Sequence, residues 1–322
     1  MNRKLLSILG ASLVIAACGG GDGTFGESPS ASFPITSANG EDVVRVSWEA
    51  ANGSGAFTDV GAGAGLSGSV PGAQEAAVGA LGPEDIVVDI VSLLPIPPQS
   101  FGCAGGTGTV TLSGNVADPS TLSRDDTFSI VYDQCDDGAG TVTDGAVNMT
   151  IVEFSGDLFL ATFLVTADTI ADNLSLTTDG QTVMGSGDAT ITIDTTQVPF
   201  VSTGVSGSSL VQTTDTSTGS LTNYASDLTY DGNQVPAEFT MHTSGTIDST
   251  ELPGAVTYTT EVTFTGYEGS YPHTGTLLVE GENSSARLIV IDAENVRIEI
   301  DSDGDGTADD TIDTTWDALL TV

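Results

Sequence analysis

The sequence predicts a mainly β protein, built as a large antiparallel meander, open barrel or sandwich with two short N-terminal helices. From about residue 107 onward, Thr, Val, Ile, Ser and Gly dominate, and short runs alternate apolar with polar residues. Such alternation is typical of half-buried strands. Asp-Gly dipeptides, which favour tight turns, separate many of these runs. Because tight turns join consecutive strands, antiparallel pairing follows. Examples of the runs are Phe128/Ile130/Tyr132, Val147/Met149/Ile151 and Val296/Ile298/Ile300.

The two predicted helices precede this region. Residues 36–51 fit both a strand and a helical face, but Ser37 or Asn39 as an N-cap and acidic residues in the first turn favour a helix. A Gly-rich stretch, Asn52–Gly72, follows. The second helix begins at Gly82-Pro83 and ends at the prolines that follow Leu94. We therefore expect a helical, Gly-rich segment over residues 36–100 and an antiparallel β domain over residues 101–322.

Length and charge limit the classes of function. The chain has 322 residues, enough for one large or two ordinary domains, and 39% of them are hydrophobic. Beyond the N-terminus no apolar run reaches the roughly 18 residues of a membrane span. Its 44 acidic residues against 6 basic ones give a formal net charge of −38. A field of this sign repels phosphate backbones and excludes nucleic acid as a partner.

The N-terminus has the layout of a secretory signal peptide. A basic start, Arg3-Lys4, is followed by an apolar stretch too short to span a bilayer. It ends in Ile15-Ala16-Ala17-Cys18, which resembles the lipobox of Gram-negative bacterial lipoproteins. That resemblance implies removal of residues 1–17, and it implies that Cys18 is the first mature residue, carrying acyl chains such as palmitate. Two or more acyl chains hold a protein stably on a membrane.

The residues after Cys18 indicate where the mature protein resides. Gly19 rather than Asp follows the cysteine, which resembles the enteric signal for the outer membrane, at its periplasmic face or the cell surface. Residues 18–35 are rich in Gly, Ser and Pro and predict a flexible tether. The mature chain keeps four basic residues, all Arg, for a formal charge of −40. Salt or bound calcium would screen this self-repulsion.

Two cysteines remain, Cys103 and Cys135. An exported compartment is oxidising, and the two form no Cys-x-x-Cys motif, so we expect a disulfide. Closing a loop of about 33 residues stabilises a fold by roughly 3 to 4 kcal/mol on the chain-entropy model.

One motif carries chemistry: the segment DSDGDGTAD at residues 301–309. Carboxylates at positions 1, 3, 5 and 9, with Gly306 at position 6, follow calcium-loop spacing, because alternate side chains of a curled loop converge. The segment resembles the loops of EF-hands, dockerins and thrombospondin type 3 repeats. The usual position-12 acid is Ile312, for which Asp310 or Asp313 could substitute. The predicted ligands of this structural calcium ion are Asp301, Asp303, Asp305, the Thr307 carbonyl and Asp309.

The sequence resembles exported Gram-negative lipoproteins whose biochemical task is not known. It contains two histidines, His242 and His273, and no Gly-x-Ser-x-Gly or zinc set, which disfavours an enzyme. The leading hypothesis is a non-enzymatic, lipid-anchored structural or interaction module with a protein, glycan or lipid partner. One alternative is a carrier that holds an apolar ligand under a helical lid. The other is a polysaccharide-acting enzyme, with His273 in an aromatic loop.

Overall fold

The computed structural model describes residues 32–62, 98–117, 121–138, 140–157, 162–178, 181–214 and 217–320. The predicted signal peptide, Cys18, most of the predicted tether and the predicted helix at Gly82–Leu94 lie outside the described residues. The chain divides into two compact units. The central unit contains the described residues of 55–215, and the carboxy-terminal unit contains those of 1–54 and 216–322.

The central unit is an antiparallel meander of seven strands. Each strand pairs with its neighbours in the chain, from the first to the seventh. Alternate residues are buried, as in Phe128, Ile130 and Tyr132. The strands are β1 Gln99–Gly102, β2 Thr109–Asn115, β3 Thr127–Asp136, β4 Thr141–Asp157, β5 Thr162–Thr178, β6 Gln181–Asp194 and β7 Phe200–Thr214.

The predicted disulfide is confirmed. Cys103 lies directly after β1 and Cys135 lies in β3, with 5.4 Å between their Cα atoms. Backbone hydrogen bonds support the same junction, since Gly105 donates to the Asp136 carbonyl at 2.8 Å. The disulfide therefore links the β1–β2 turn to β3. Strand β2 lies between β1 and β3 and pairs with both.

The carboxy-terminal unit repeats this plan and adds two helices. Its seven strands also pair in chain order. The strands are β8 Thr218–Asp231, β9 Glu238–Ser249, β10 Val256–Tyr267, β11 Thr274–Gly281, β12 Ser284–Val290, β13 Asn295–Asp301 and β14 Asp310–Thr315. The helices are α1, Gly40–Ala62, of which residues 40–54 belong to this unit, and α2, Trp316–Leu320.

These observations confirm the predicted mainly β, antiparallel fold, and within it they select the open meander. In neither unit do the described residues pair the first strand with the last. Threonine pairs join neighbouring strands, for example Thr177 with Thr182 at 2.9 Å and Thr166 with Thr192 at 3.2 Å. A β-branched hydroxyl residue suits a pleated surface, which explains the high Thr content.

The first helix is longer than the sequence predicts. It begins after Asn39, whose carbonyl accepts the Val43 N–H at 2.9 Å, but it continues to Ala62 through the expected Gly-rich stretch. Glycine costs a helix about 1 kcal/mol relative to alanine and does not forbid it. Alanine has the highest helix propensity, and Ala50, Ala51 and Ala56 offset part of this cost.

Helix α1 packs against the buried face of the carboxy-terminal sheet through an aromatic cluster. The centroid of the Trp48 ring lies 4.8 Å from that of Phe264 in β10 and 4.7 Å from that of Trp316, the first residue of α2. At the helix start, Gly40 is so close to the sheet that a Cβ atom there would lie 2.5 Å from Ile300 Cδ1. The side chains of Trp48, Phe264 and Trp316 are at most 1% exposed.

A half-buried charge network also holds this helix. Arg45 forms ion pairs with Glu251, between β9 and β10, at 3.0 Å and with Glu49 at 3.2 Å. Burial raises the pKa of Glu49, and Arg45 opposes that shift. The guanidinium thus links two carboxylates that would otherwise repel each other where the helix meets the sheet.

Trp48→Ala should lower the free energy of unfolding by about 3–5 kcal/mol, because it removes a fully buried ring that contacts both the sheet and α2. Val262→Ala, at a side chain that is 54% exposed, is the control and should change it by less than about 0.5 kcal/mol. Urea unfolding followed by circular dichroism measures both. Equal effects of the two substitutions would contradict this packing.

Candidate metal centre

The acidic segment forms the turn between β13 and β14. Asp301 is the last residue of β13, pairs with Ser285 of β12, and is 5% exposed. After the turn, the Asp309 N–H donates to the Ile300 carbonyl at 2.7 Å and closes the hairpin. The chain therefore enters the loop from a strand.

Asp301 organises the loop from its buried position. One carboxylate oxygen accepts the Gly304 N–H at 2.7 Å, and the other accepts the Gly306 N–H at 2.8 Å. Two short turns follow, in which Asp303 accepts the Asp305 N–H at 3.2 Å and Asp305 accepts the Thr307 N–H at 2.7 Å. These bonds satisfy the backbone donors of a tightly curled segment.

Both glycines of the loop have a left-handed backbone, with φ of 73° at Gly304 and 87° at Gly306. Side chains are disfavoured in this region. Gly304 has a second constraint, because a Cβ atom there would lie 2.7 Å from the carbonyl oxygen of Asn283 in the β11–β12 turn. The acidic loop therefore lies directly against that turn.

Three carboxylates converge in this loop. Asp301, Asp303 and Asp309 each offer an oxygen atom, and these atoms all lie within 4.8 Å of one another. Asp301 is buried, whereas the other two are exposed. Carboxylates this close repel one another unless a cation or hydrogen-bond donors offset the repulsion. Carboxylate oxygens that converge within one loop are the kind of ligand that Ca²⁺ prefers.

Ser302 positions one of these ligands. Its N–H donates to Asp309 at 2.9 Å, and its hydroxyl donates to the same oxygen. The two bonds, the hydroxyl bond first, lower the pKa of Asp309 below its usual range. Sequence reasoning did not find this role of Ser302, although a hydroxyl residue directly after the first aspartate was the available signal.

The other predicted ligands have different places. One Asp305 carboxylate oxygen accepts the Thr307 N–H at 2.7 Å, and Asp305 is not in the converging group. Asp310 accepts the Thr311 N–H at 2.8 Å. Asp313 forms a bidentate pair with Arg297, at 2.8 and 3.3 Å, which lowers the pKa of Asp313. Ile312 pairs with Ile298 across the strands.

The N-terminal segment docks on the turn that supports the acidic loop. The Phe33 carbonyl accepts the Glu282 N–H at 2.8 Å, and the Ile35 N–H donates to Ser284 Oγ at 2.7 Å. Ser32 forms a parallel bridge with Ala255. The β11–β12 turn is therefore in contact both with the entering chain and with the acidic loop, an arrangement that sequence reasoning did not find.

Comparison of the sequence with protein-family models, with curated proteins and with solved structures gives no match. Within the described part of the chain, neither helix combines the length and the hydropathy of a membrane-spanning helix.

Asp301→Ala should destabilise the protein even in the presence of a chelator, by about 1–3 kcal/mol, because it leaves the Gly304 and Gly306 N–H groups without their acceptor. Asp305→Ala removes the same charge and is the matched control, with an expected change below about 0.5 kcal/mol, because at this exposed position water can replace the carboxylate as acceptor of the Thr307 N–H. Urea unfolding in excess chelator distinguishes them. A neutral Asp301→Ala would show that the buried carboxylate does not organise the loop.

Proposed function

We propose that this protein is an exported lipoprotein, anchored in the outer membrane by acyl chains on Cys18. We propose further that its β domain is a non-enzymatic structural or interaction module, stabilised by calcium at the β13–β14 loop. The convergence of three carboxylates in one loop is the observation that carries the calcium part. The lipobox-like segment that ends at Cys18 carries the anchor.

The disulfide supports export. Structural disulfides persist in oxidising compartments and are rare in the reducing cytosol. Cys103 and Cys135 are both buried, as expected of a structural bridge. This agrees with a chain that begins with a signal peptide and leaves the cytosol before it folds.

Geometry and charge support calcium as the ion. Ca²⁺ takes six to eight oxygen ligands in flexible arrangements, and three carboxylates with a backbone carbonyl and water molecules would supply such a set. The Thr307 carbonyl is the backbone candidate by its position in the motif. Without a position-12 acid, we expect affinity in the weak range of extracellular modules, about 10⁻⁴–10⁻³ M.

The role of the ion would be structural. It would offset the repulsion among Asp301, Asp303 and Asp309 and hold the loop against Asn283. Since that turn also binds the docked segment at Phe33 and Ile35, calcium would stabilise the attachment of the tether to the folded unit.

Packing in the carboxy-terminal unit favours a module over a carrier. A carrier of an apolar ligand would keep a hollow between its helix and its sheet. Here the Trp48 ring packs against the rings of Phe264 and Trp316 across that space, with ring centroids 4.8 and 4.7 Å apart. Native mass spectrometry checks this point, since a co-purified lipid would favour the carrier.

The melting temperature of the mature protein should be about 5–10 °C lower in excess chelator than in calcium at about a hundred times its Kd. Asp303→Ala should abolish this difference, because it removes one of the three converging carboxylates. Glu268→Ala removes an equal charge from another turn and should preserve it. Differential scanning calorimetry with and without chelator gives the result, and unchanged melting of the wild type on chelation would refute the calcium site.

Cys18→Ser should move the protein from the membrane fraction to the soluble exported fraction, because the acyl attachment is lost. The double variant Cys103→Ser/Cys135→Ser removes the disulfide but keeps the anchor, and it should stay with the membranes. Fractionation followed by immunoblotting measures both. A Cys18→Ser protein that still sediments with membranes would contradict lipid anchoring.

A further inference from the structure

The meander places alternate turns of the carboxy-terminal unit at opposite ends of its strands. One end, here the proximal end, carries turns 250–255, 282–283 and 302–309 and the docked residues 32–35. The other end, here the distal end, carries turns 232–237, 268–273 and 291–294. Because neighbouring strands are about 4.8 Å apart, the three distal turns follow one another at intervals of about 10 Å.

Large exposed apolar side chains concentrate at the distal end. Val235 is 99% exposed, Ile291 52%, Tyr267 39% and Tyr271 37%. Among the described residues of this unit, Val262 on β10 is the one other large apolar side chain in the exposed class. Single exposed apolar residues are ordinary, but their placement in all three turns at one end marks an interaction surface.

Local contacts fix the conformation of these turns. Tyr271 stacks on the buried Trp316 with ring centroids 5.4 Å apart, and Tyr267 stacks on His273 with ring centroids 5.3 Å apart. In the last turn, Asp292 accepts the N–H groups of Glu294 and Asn295, both at 2.8 Å. A preorganised surface loses less conformational entropy when it binds a partner.

The distal end is also acidic. Turns 232–237, 268–273 and 291–294 contain no Lys or Arg. The exposed carboxylates at this end belong to Glu268, Asp292, Glu294 and Asp317. A complementary partner therefore carries basic residues, which would steer association and make it salt-dependent.

The tether joins the fold at the end of the strands opposite the distal turns. Thirteen residues lie between Cys18 and Ser32, and this segment spans at most about 50 Å when fully extended. Strands β9 and β10 have 12 residues each, or about 40 Å, between the proximal and distal ends. The distal turns therefore lie about 40 Å from the point where the tether joins the fold.

We infer that the distal turns bind a protein that offers apolar pockets within a basic surface. Tyrosine is enriched at protein interfaces, and aliphatic tips such as Val235 and Ile291 fill apolar pockets but do not stack on sugar rings. The acidic surroundings and the distance from the anchor oppose insertion into the bilayer. The separation of this surface from the membrane attachment rests on the proposed lipid anchor, whereas the exposed residues and the charge of the surface are independent of that anchor.

The test is site-specific crosslinking in intact cells that make the full-length protein. A benzophenone amino acid replaces Val235, and the control places it at Thr250, an exposed residue of the proximal end. We expect a single protein adduct from position 235 and none from position 250. That protein, once purified, should bind the mature chain in a salt-dependent manner, with affinity about tenfold lower or more for Val235→Asp/Ile291→Asp.

Three outcomes would overturn the inference. The first is that position 235 gives no protein adduct, whether it gives none at all or one with a lipid or glycan. The second is that both positions give the same adducts, and the third is that Val235→Asp/Ile291→Asp leaves binding unchanged. Circular dichroism of that variant establishes that it is folded. Membrane fractionation of the same cells reports separately on the anchor. If the protein is found in the soluble fraction and still gives the position-235 adduct, the proposed anchoring is refuted, whereas the proposed binding by the distal turns is supported.

Discussion

The buried carboxylate of Asp301 is the constraint on which one end of the carboxy-terminal unit depends. It accepts two backbone N–H groups, and it thereby curls the β13–β14 loop so that other carboxylates meet beside it. Hydrogen bonds formed by a buried, charged acceptor are stronger than neutral ones and costly to lose. The same curl brings Gly304 against Asn283, in the turn that binds the entering chain. One local network thus connects a candidate ion site with the place where residues 32–35 dock on the fold.

The two ends of this unit differ in their exposed residues. This difference underlies both the proposed calcium site and the proposed binding surface. The proximal end collects carboxylates and the docked chain, while the distal end presents apolar and aromatic tips. Between them, α1 crosses the sheet and is held by Trp48 and Arg45. This difference suits the proposed anchored module, in which the tether would join one end of the unit and leave the other end accessible.

Period-two alternation and turn residues predicted the β architecture, because both are local properties of the chain. Helix α1 was underestimated since glycine lowers helix propensity without fixing where a helix ends. Motif spacing predicted the carboxylates that converge, but it did not predict that Asp313 faces Arg297, because strand pairing decides which face a side chain occupies. The contacts of Asn283 and Phe33 join segments far apart in sequence, and no local pattern contains that information.

Hydrogen–deuterium exchange of the mature protein, with calcium and with chelator, tests most directly whether the loop, the turn and the docked segment form one ion-stabilised end. The account predicts that calcium slows amide exchange in residues 301–309, 281–284 and 32–35 and leaves the distal turns unchanged. Exchange that calcium does not alter in residues 301–309, or alters there alone without any effect at residues 32–35, would contradict it.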